Sequence, residues 1–265
     1  MYAYLTKEGD LVKCPICGEE TERIINICDT TIKAKVMCSC KIKEQEEKKR
    51  IEENREKQDR LERLFKNSLM DSKFRKETFK NWDKSKGSKS YYNIGLRYCK
   101  NFKEIRTEGL GIMLQGRPGN GKTYLSNCIA NYLLGTFTPV ISISINNLLD
   151  RIRQSYNKWG QEGEAELIKS ITRADLIILD DLGTENPTDW AISKVYSIID
   201  AIYRAKKCLI VSTNYSLQQL RDQYGDRTIS RLEEMCTTIE IKDKSFRQDM
   251  AEKNRNKLRS LIMEG

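Results

Sequence analysis

Residues 116–123 read Gly-Arg-Pro-Gly-Asn-Gly-Lys-Thr, GRPGNGKT. Three of the chain's 15 glycines fall in these eight positions, and the run closes on Lys122 and Thr123. Before it stands a short apolar run, GIMLQG (111–116), and after it KTYLSNCIANYLL (122–134), a helical pattern. A G-x-x-x-x-G-K-T loop between strand and helix is a Walker A motif. Gly116, Gly119 and Gly121 carry no Cβ to obstruct backbone N–H groups closing around phosphate oxygens, and the helix N-terminus adds the positive end of its dipole. Pro118, Asn120 and Tyr124 complete the cofactor-binding set. Lys122 is expected to reach the β- and γ-phosphates of ATP, and the Thr123 hydroxyl to ligate Mg²⁺.

The chain around the loop agrees with that reading. Strands are expected at roughly 111–116, 139–145, 176–182, 208–214 and 237–242, with helices between them, which predicts a parallel three-layer α/β sheet. ADLIILDDLG (174–183) ends an apolar strand on two carboxylates. Two adjacent buried acids are costly without a cation, so Asp180 is expected to hold Mg²⁺ and Asp181 to orient the attacking water. Asp at the second position is a methylene shorter than Glu, which predicts slow hydrolysis. CLIVSTNYS (208–216) delivers Asn214 to a strand end, within reach of the γ-phosphate. GDRTISRLEEM (225–235) puts Arg227 and Arg231 on one helix face at i, i+4. Arg247, in KSFRQD (244–249), opens a terminal helix.

Upstream, five of nine cysteines lie in the first 40 residues. Cys14 and Cys17 form a C-x2-C knuckle, and Cys38 and Cys40 follow after two predicted strands. That pattern suits a four-thiolate Zn²⁺ site, with Cys28 as a competing ligand. So short a segment has too little core to fold unaided. Residues 41–66 carry 18 charges in 26 positions, six pairs placing an acid four residues before a base, and read as a solvated helical spacer. Residues 66–106 hold twelve Lys/Arg against four Asp/Glu, with seven aromatics interleaved. That mix suits single-stranded nucleic acid, yet Tyr91, Ile94, Tyr98, Phe102 and Ile105 recur at helical spacing, so several of these rings read first as core, with DNA contact the lesser alternative. The expected division is therefore 1–45 zinc module, 46–66 charged linker and 67–265 ATPase domain.

The 265 residues carry a net charge of +9 and no histidine, which favours an anionic partner. No stretch has the length of a membrane span, and the first residues lack the apolar core of a secretion signal. A cytoplasmic, reduced protein without membrane contact is expected, its cysteines thiols or ligands.

ADLIILDDLGTENPTDWAISKVYSIIDAIYRAKKCLIVSTNYSLQQL, with GDRTISRL and SFR after it, resembles the DnaC/DnaI-type bacterial replicative helicase loaders. These are AAA+ ATPases related to DnaA and to IstB-type transposition ATPases. The resemblance covers residues 68–250, and the cysteine module is similar, more loosely, to that of the DnaI-like branch. It implies ATP-dependent loading of a DnaB-type hexameric helicase onto single-stranded DNA. The N-terminal module would grip the helicase, and the ATPase domains would self-associate in an open spiral. Arg231 matches the arginine finger that completes a neighbour's ATP site, Asn214 the first sensor and Arg247 the second. NNLLDRIRQSYNKWG (146–160) matches the helix that loaders add, making Arg151, Arg153, Tyr156 and Trp159 candidate DNA contacts. The end at residue 265 leaves little room for a helical lid, as in this family. Two rivals stand: an IstB-like transposition ATPase, and a zinc-containing DNA-binding adaptor with a structural nucleotide.

Overall fold

The computed structural model describes residues 12–27, 30–64, 74–84, 87–242 and 245–263; of 26, 27, 31, 60–64, 75, 156–162 and 246–250 it describes the backbone alone. The chain divides into two compact units, Met1–Asn54 and Arg55–Gly265. The division falls inside the charged helix.

In the first unit, β1 (Glu22–Ile27) and β2 (Thr30–Lys35) pair antiparallel, with Ile25 opposite Ile32. Six-residue strands bury little by themselves, and Ile24, Ile25 and Ile32 remain exposed. The hairpin is anchored at its base, where Thr21 donates to Val12 and accepts from Val36. Cys28 lies outside the described residues. α1 (Ser39–Leu64) then begins. Of its predicted acid–base pairs, Lys48 meets Glu44 at 2.6 Å; Arg50 meets Glu47, at i, i+3. The Arg50 Nε and Nη2 donate to the two oxygens of that carboxylate.

In the second unit, α2 (Lys89–Lys100) and α3 (Phe102–Glu108) precede five parallel strands. These are β3 (Gly111–Gly116), β4 (Val140–Ser144), β5 (Leu176–Leu182), β6 (Cys208–Thr213) and β7 (Cys236–Ile241). Their order is β4-β5-β6-β3-β7. The intervening helices are α4 (Lys122–Gly135), α5 (Ile145–Ile171), α6 (Asp189–Arg204), α7 (Leu217–Tyr224) and α8 (Asp226–Met235), and α9 (Phe246–Met263) follows. The strands β3, β5 and β6 read as largely apolar runs because both sheet faces are covered there, whereas the edge strands β4 (VISIS) and β7 (CTTIEI) mix in polar residues, and Thr237, Thr238 and Glu240 of β7 are not buried. Met113, Ile177, Leu179, Leu209 and Val211 pack toward α5, α6 and α8, while Ile112, Leu114, Ile178 and Ile210 pack toward α2, α3 and α4.

The aromatics of 66–106 belong to this second core. Phe74, Phe79, Tyr98 and Phe102 are buried, and Trp82, Tyr91 and Tyr92 pack against them. Trp82 lies 5.0 Å from the Tyr124 ring, and Tyr92 meets Phe79 and Trp82 edge-on. The rings are thus spent on packing between α2 and α4, and the alternative reading of these rings as a stacking path for bases is set aside.

Candidate nucleotide site and cysteine cluster

β3 lies between β6 and β7, so chain connections diverge on its two sides, the position at which open parallel sheets bind ligands beyond the strands' C-terminal ends. The Gly116–Thr123 loop occupies that end. Gly116 (φ +156°), Gly119 (φ +81°) and Gly121 (φ +94°) hold dihedrals that side chains resist. Pro118 is exposed on the loop. Asn120 is buried and donates to the Ile241 carbonyl at 2.6 Å, tying the loop to β7.

Lys122 opens α4 and is only 5% exposed. Its ammonium donates to the carbonyls of Gly116 (2.8 Å) and Arg117 (3.0 Å) and to Oδ1 of Asn120 (3.3 Å) and Asn214 (2.8 Å). Asn214 thus reaches the loop lysine across the β6–β3 pair. The Thr123 hydroxyl donates to both Asp180 oxygens, at 3.1 and 3.0 Å. Burial pushes the Asp180 carboxyl above the usual range, with the Asp181 charge adding to it; hydrogen bonds from Ser212 and Thr123 and the Lys122 charge oppose the shift.

Asp181 has a positive φ of +58°. The β5–β6 register breaks between Leu179 and Leu182: Leu179 pairs with Val211 and Leu182 with Thr213, so two aspartates face the single residue Ser212. Such a bulge re-aims a side chain that plain alternation would send elsewhere. Tyr124, the remaining member of the predicted loop set, turns its ring into the core. Its hydroxyl accepts from the Asp83 N–H at 2.8 Å and donates to the Asn81 carbonyl.

Arg231 on α8 is held within the chain. It meets Asp200 of α6 at 2.7 Å and lies over the rings of Tyr196 (4.8 Å) and Tyr203 (5.7 Å). Asp200 also pairs with Arg204 at 2.7 Å. Arg227, one turn earlier, is exposed. Arg247 sits in the first turn of α9, its side chain outside the described residues.

Of the four candidate DNA contacts, all on α5, Arg151 is half-buried, and Arg153 stands over the Trp190 ring at 4.6 Å with Asp150 at 3.7 Å. Tyr156 and Trp159 lie farther along the same helix, with only their backbone described.

In the first unit, the sulfurs of Cys14, Cys17, Cys38 and Cys40 lie within 4.8 Å of one another. Tetrahedral Zn²⁺ with Zn–S bonds of about 2.3 Å needs sulfurs at such spacing, and an all-thiolate donor set suits it. Backbone N–H groups of Cys17 and Ile16, then the Cys38 thiol, draw the Cys14 thiol down to about 6. The hydrogen bonds with Cys38 and Cys14 push Cys40 up.

Two functional candidates had no signal of their own in the sequence. Ser212 touches both aspartates, but a serine in a strand is unremarkable. Asp200 meets Arg231 from a helix 31 positions upstream, a separation no local pattern reports. The polar run Ser212-Thr213-Asn214 closing an apolar strand could have drawn attention to the first.

Fold and site together define a P-loop ATP-binding domain of AAA+ architecture. The chain belongs to the IstB-like ATP binding protein family, which matches residues 42–254. It is similar to YdaV of Escherichia coli (strain K12), an uncharacterized protein, with 26% identity over 81% of this chain and 87% of that one. It is also similar to the replicative helicase loader DnaC of Buchnera aphidicola subsp. Baizongia pistaciae (strain Bp), at 23% identity over 55% of this chain. That match spans 58% of the relative, little more than half its length. A crystal structure titled as the DnaC helicase loader superposes with a TM-score of 0.54 at 22% identity, covering 65% of this chain and all of that one. This last likeness is one of fold. Among the described residues no helix is long and apolar enough to cross a membrane.

Proposed function

We propose that this protein is an ATP-dependent loader of a hexameric DnaB-type replicative helicase onto single-stranded DNA during replication initiation. The observation that carries the nucleotide half is the meeting of Lys122, Asn214, Thr123 and Asp180 at the β3 end. The helicase half rests on the relatives named as DnaC loaders and on the joining of a four-cysteine module to this ATPase domain.

In this reading Lys122 and the loop N–H groups bind the β- and γ-phosphates. Thr123 and Asp180 hold Mg²⁺, whose contribution when bound is to neutralise charge building on the phosphate oxygens. Asp181 orients the attacking water, Asn214 senses the γ-phosphate as the first sensor, and Arg247 serves as the second. Arg231 serves a neighbouring protomer's site after leaving Asp200. Hydrolysis is slow, and ATP acts by favouring one assembly of the ATPase domains. Cys14, Cys17, Cys38 and Cys40 hold Zn²⁺, which closes the module that docks the helicase. Arg151, Arg153, Tyr156 and Trp159 contact single-stranded DNA by charge and stacking. The setting is the cytoplasm, where thiols stay reduced.

Native mass measurement with the host's hexameric replicative helicase, with and without ATP, tests this. Several copies bound per hexamer, lost when residues 1–66 are removed, is the expected result. Absence of a complex under both conditions would overturn it and turn the search toward a transposase or a DNA site.

A further inference from the structure

We propose that Ser212 is a positioning residue of the phosphate site, holding Asp180 and Asp181 in fixed relation through one hydroxyl; the inference rests on the nucleotide reading above. Ser212 is wholly buried in β6, at 0% exposure. Its hydroxyl donates to Oδ1 of Asp180. The Ser212 Oγ also accepts from the Asp181 N–H at 3.0 Å. A serine hydroxyl has one proton to give and lone pairs to receive, so both bonds form at once.

The bulge explains why a side chain is needed here. Asp180 and Asp181 together face Ser212, so the regular ladder breaks between Leu179 and Leu182. Asp181, at φ +58°, has turned out of extended geometry. A buried N–H without a partner is costly, and the Ser212 hydroxyl supplies the acceptor. Strain of this sort persists only where its surroundings over-determine it. Ser212 is one part of that surrounding, beside the Thr184 N–H and hydroxyl that donate to the Asp181 carbonyl: it pins the strained backbone with its oxygen and the preceding carboxylate with its proton. Thr123 approaches Asp180 from the P-loop, so the carboxylate is held by one hydroxyl from α4 and one from β6. Asp180 is thereby presented in one orientation to a cation, and the step to Asp181 is set. Outer partners of this kind typically change metal affinity or activity by about 10- to 100-fold when removed.

The test uses the full chain and three variants, Ser212→Ala, Ser212→Thr and Lys122→Ala. Binding of a fluorescent ATP analogue is followed against Mg²⁺ concentration, and ATP turnover is resolved into kcat and KM. With Ser212→Ala, binding in chelator is expected to match the wild type. Half-maximal Mg²⁺ should rise about tenfold or more and kcat should fall by a similar factor, with KM little changed. Ser212→Thr, which keeps the hydroxyl, is expected to restore both. A Ser212→Ala protein with the wild-type Mg²⁺ midpoint and kcat, whatever its melting temperature, overturns the proposal, as does a Thr variant no better than Ala. Failure of the nucleotide reading shows separately: the wild type binds no analogue, or Lys122→Ala binds it equally well, and the proposal falls with it. Should Ser212→Ala not fold, Ser212→Cys, similar in volume but a weak donor, takes its place with the same two outcomes.

Discussion

At Gly116 a side chain has no room. A Cβ there would stand 2.3 Å from Asn120 Nδ2 and 2.4 Å from the Ile241 carbonyl oxygen, two atoms hydrogen-bonded to each other. Gly116→Ala must therefore part the loop from β7, and is expected to cost about 1–3 kcal/mol and most nucleotide binding. Calorimetric unfolding beside an ATP-analogue titration checks it; an unchanged melting temperature would show that the loop yields freely. Lys122→Ala leaves the acceptors on Gly116, Arg117 and Asn214 without the ammonium that gathers them, and is expected to lower ATP affinity at least tenfold in the same titration. Lys122, Thr123 and Asp180 were legible in the sequence because the motif's spacing is itself the chemistry: glycines for the turn, lysine and threonine at the helix start, acids at a strand end. Ser212 was not, since its role depends on a bulge in β5 that no residue pattern announces.

Among the elements, the α6–α8 contact decides what Arg231 does at rest. Its side chain is 23% exposed, against 16% for Asp200, and two tyrosine rings flank it. Arg231→Ala is expected to lower stability by about 1–2 kcal/mol, because a part-buried ion pair and its ring contacts are lost. An arginine serving only a neighbour would leave the melting midpoint of the isolated protomer where it was, so thermal unfolding at low protein concentration separates the two. α7 starts with a reciprocal cap: Gln219 N–H bonds the Ser216 hydroxyl, and the Gln219 side chain bonds the Ser216 N–H. Ser216→Ala should cost about 1 kcal/mol in the same measurement. The five core strands lie within a residue of where the sequence places them; the buried central strands β3, β5 and β6 leave a nearly continuous apolar signature, while the edge strands β4 and β7 are marked by apolar residues interleaved with Ser or Thr. The aromatics of 66–106 were ambiguous in sequence, because a ring waiting for a base and a ring packed in a core share the same composition.

For the whole molecule, the two units differ in what can hold them together. Unit Arg55–Gly265 has two large apolar cores on its sheet, whereas Met1–Asn54 has a hairpin with exposed isoleucines and four convergent thiols. Metal is expected to be the first unit's main source of stability. The purified protein should carry one Zn²⁺ per chain. A strong chelator should release it and unfold the cysteine unit, while the melting of unit Arg55–Gly265 and its binding of an ATP analogue persist. Elemental analysis with circular dichroism reads both. A metal-free protein with an unaltered spectrum after chelation would remove zinc from the account.

The sequence by itself determined the parallel three-layer fold and the place of the phosphate loop within it. Those follow from local facts: hydrophobic period, glycine at positive φ, and which residue types cluster at strand and helix ends. It also determined that four cysteines stand in ligand-like pairs. Only the tertiary structure decided which groups meet across distance. Asn214 reaches Lys122, Ser212 spans two aspartates, Asp200 holds Arg231, and the rings of 66–106 close a core instead of lining a surface. Such contacts depend on strand order and register, which are set by how whole layers bury their faces against one another.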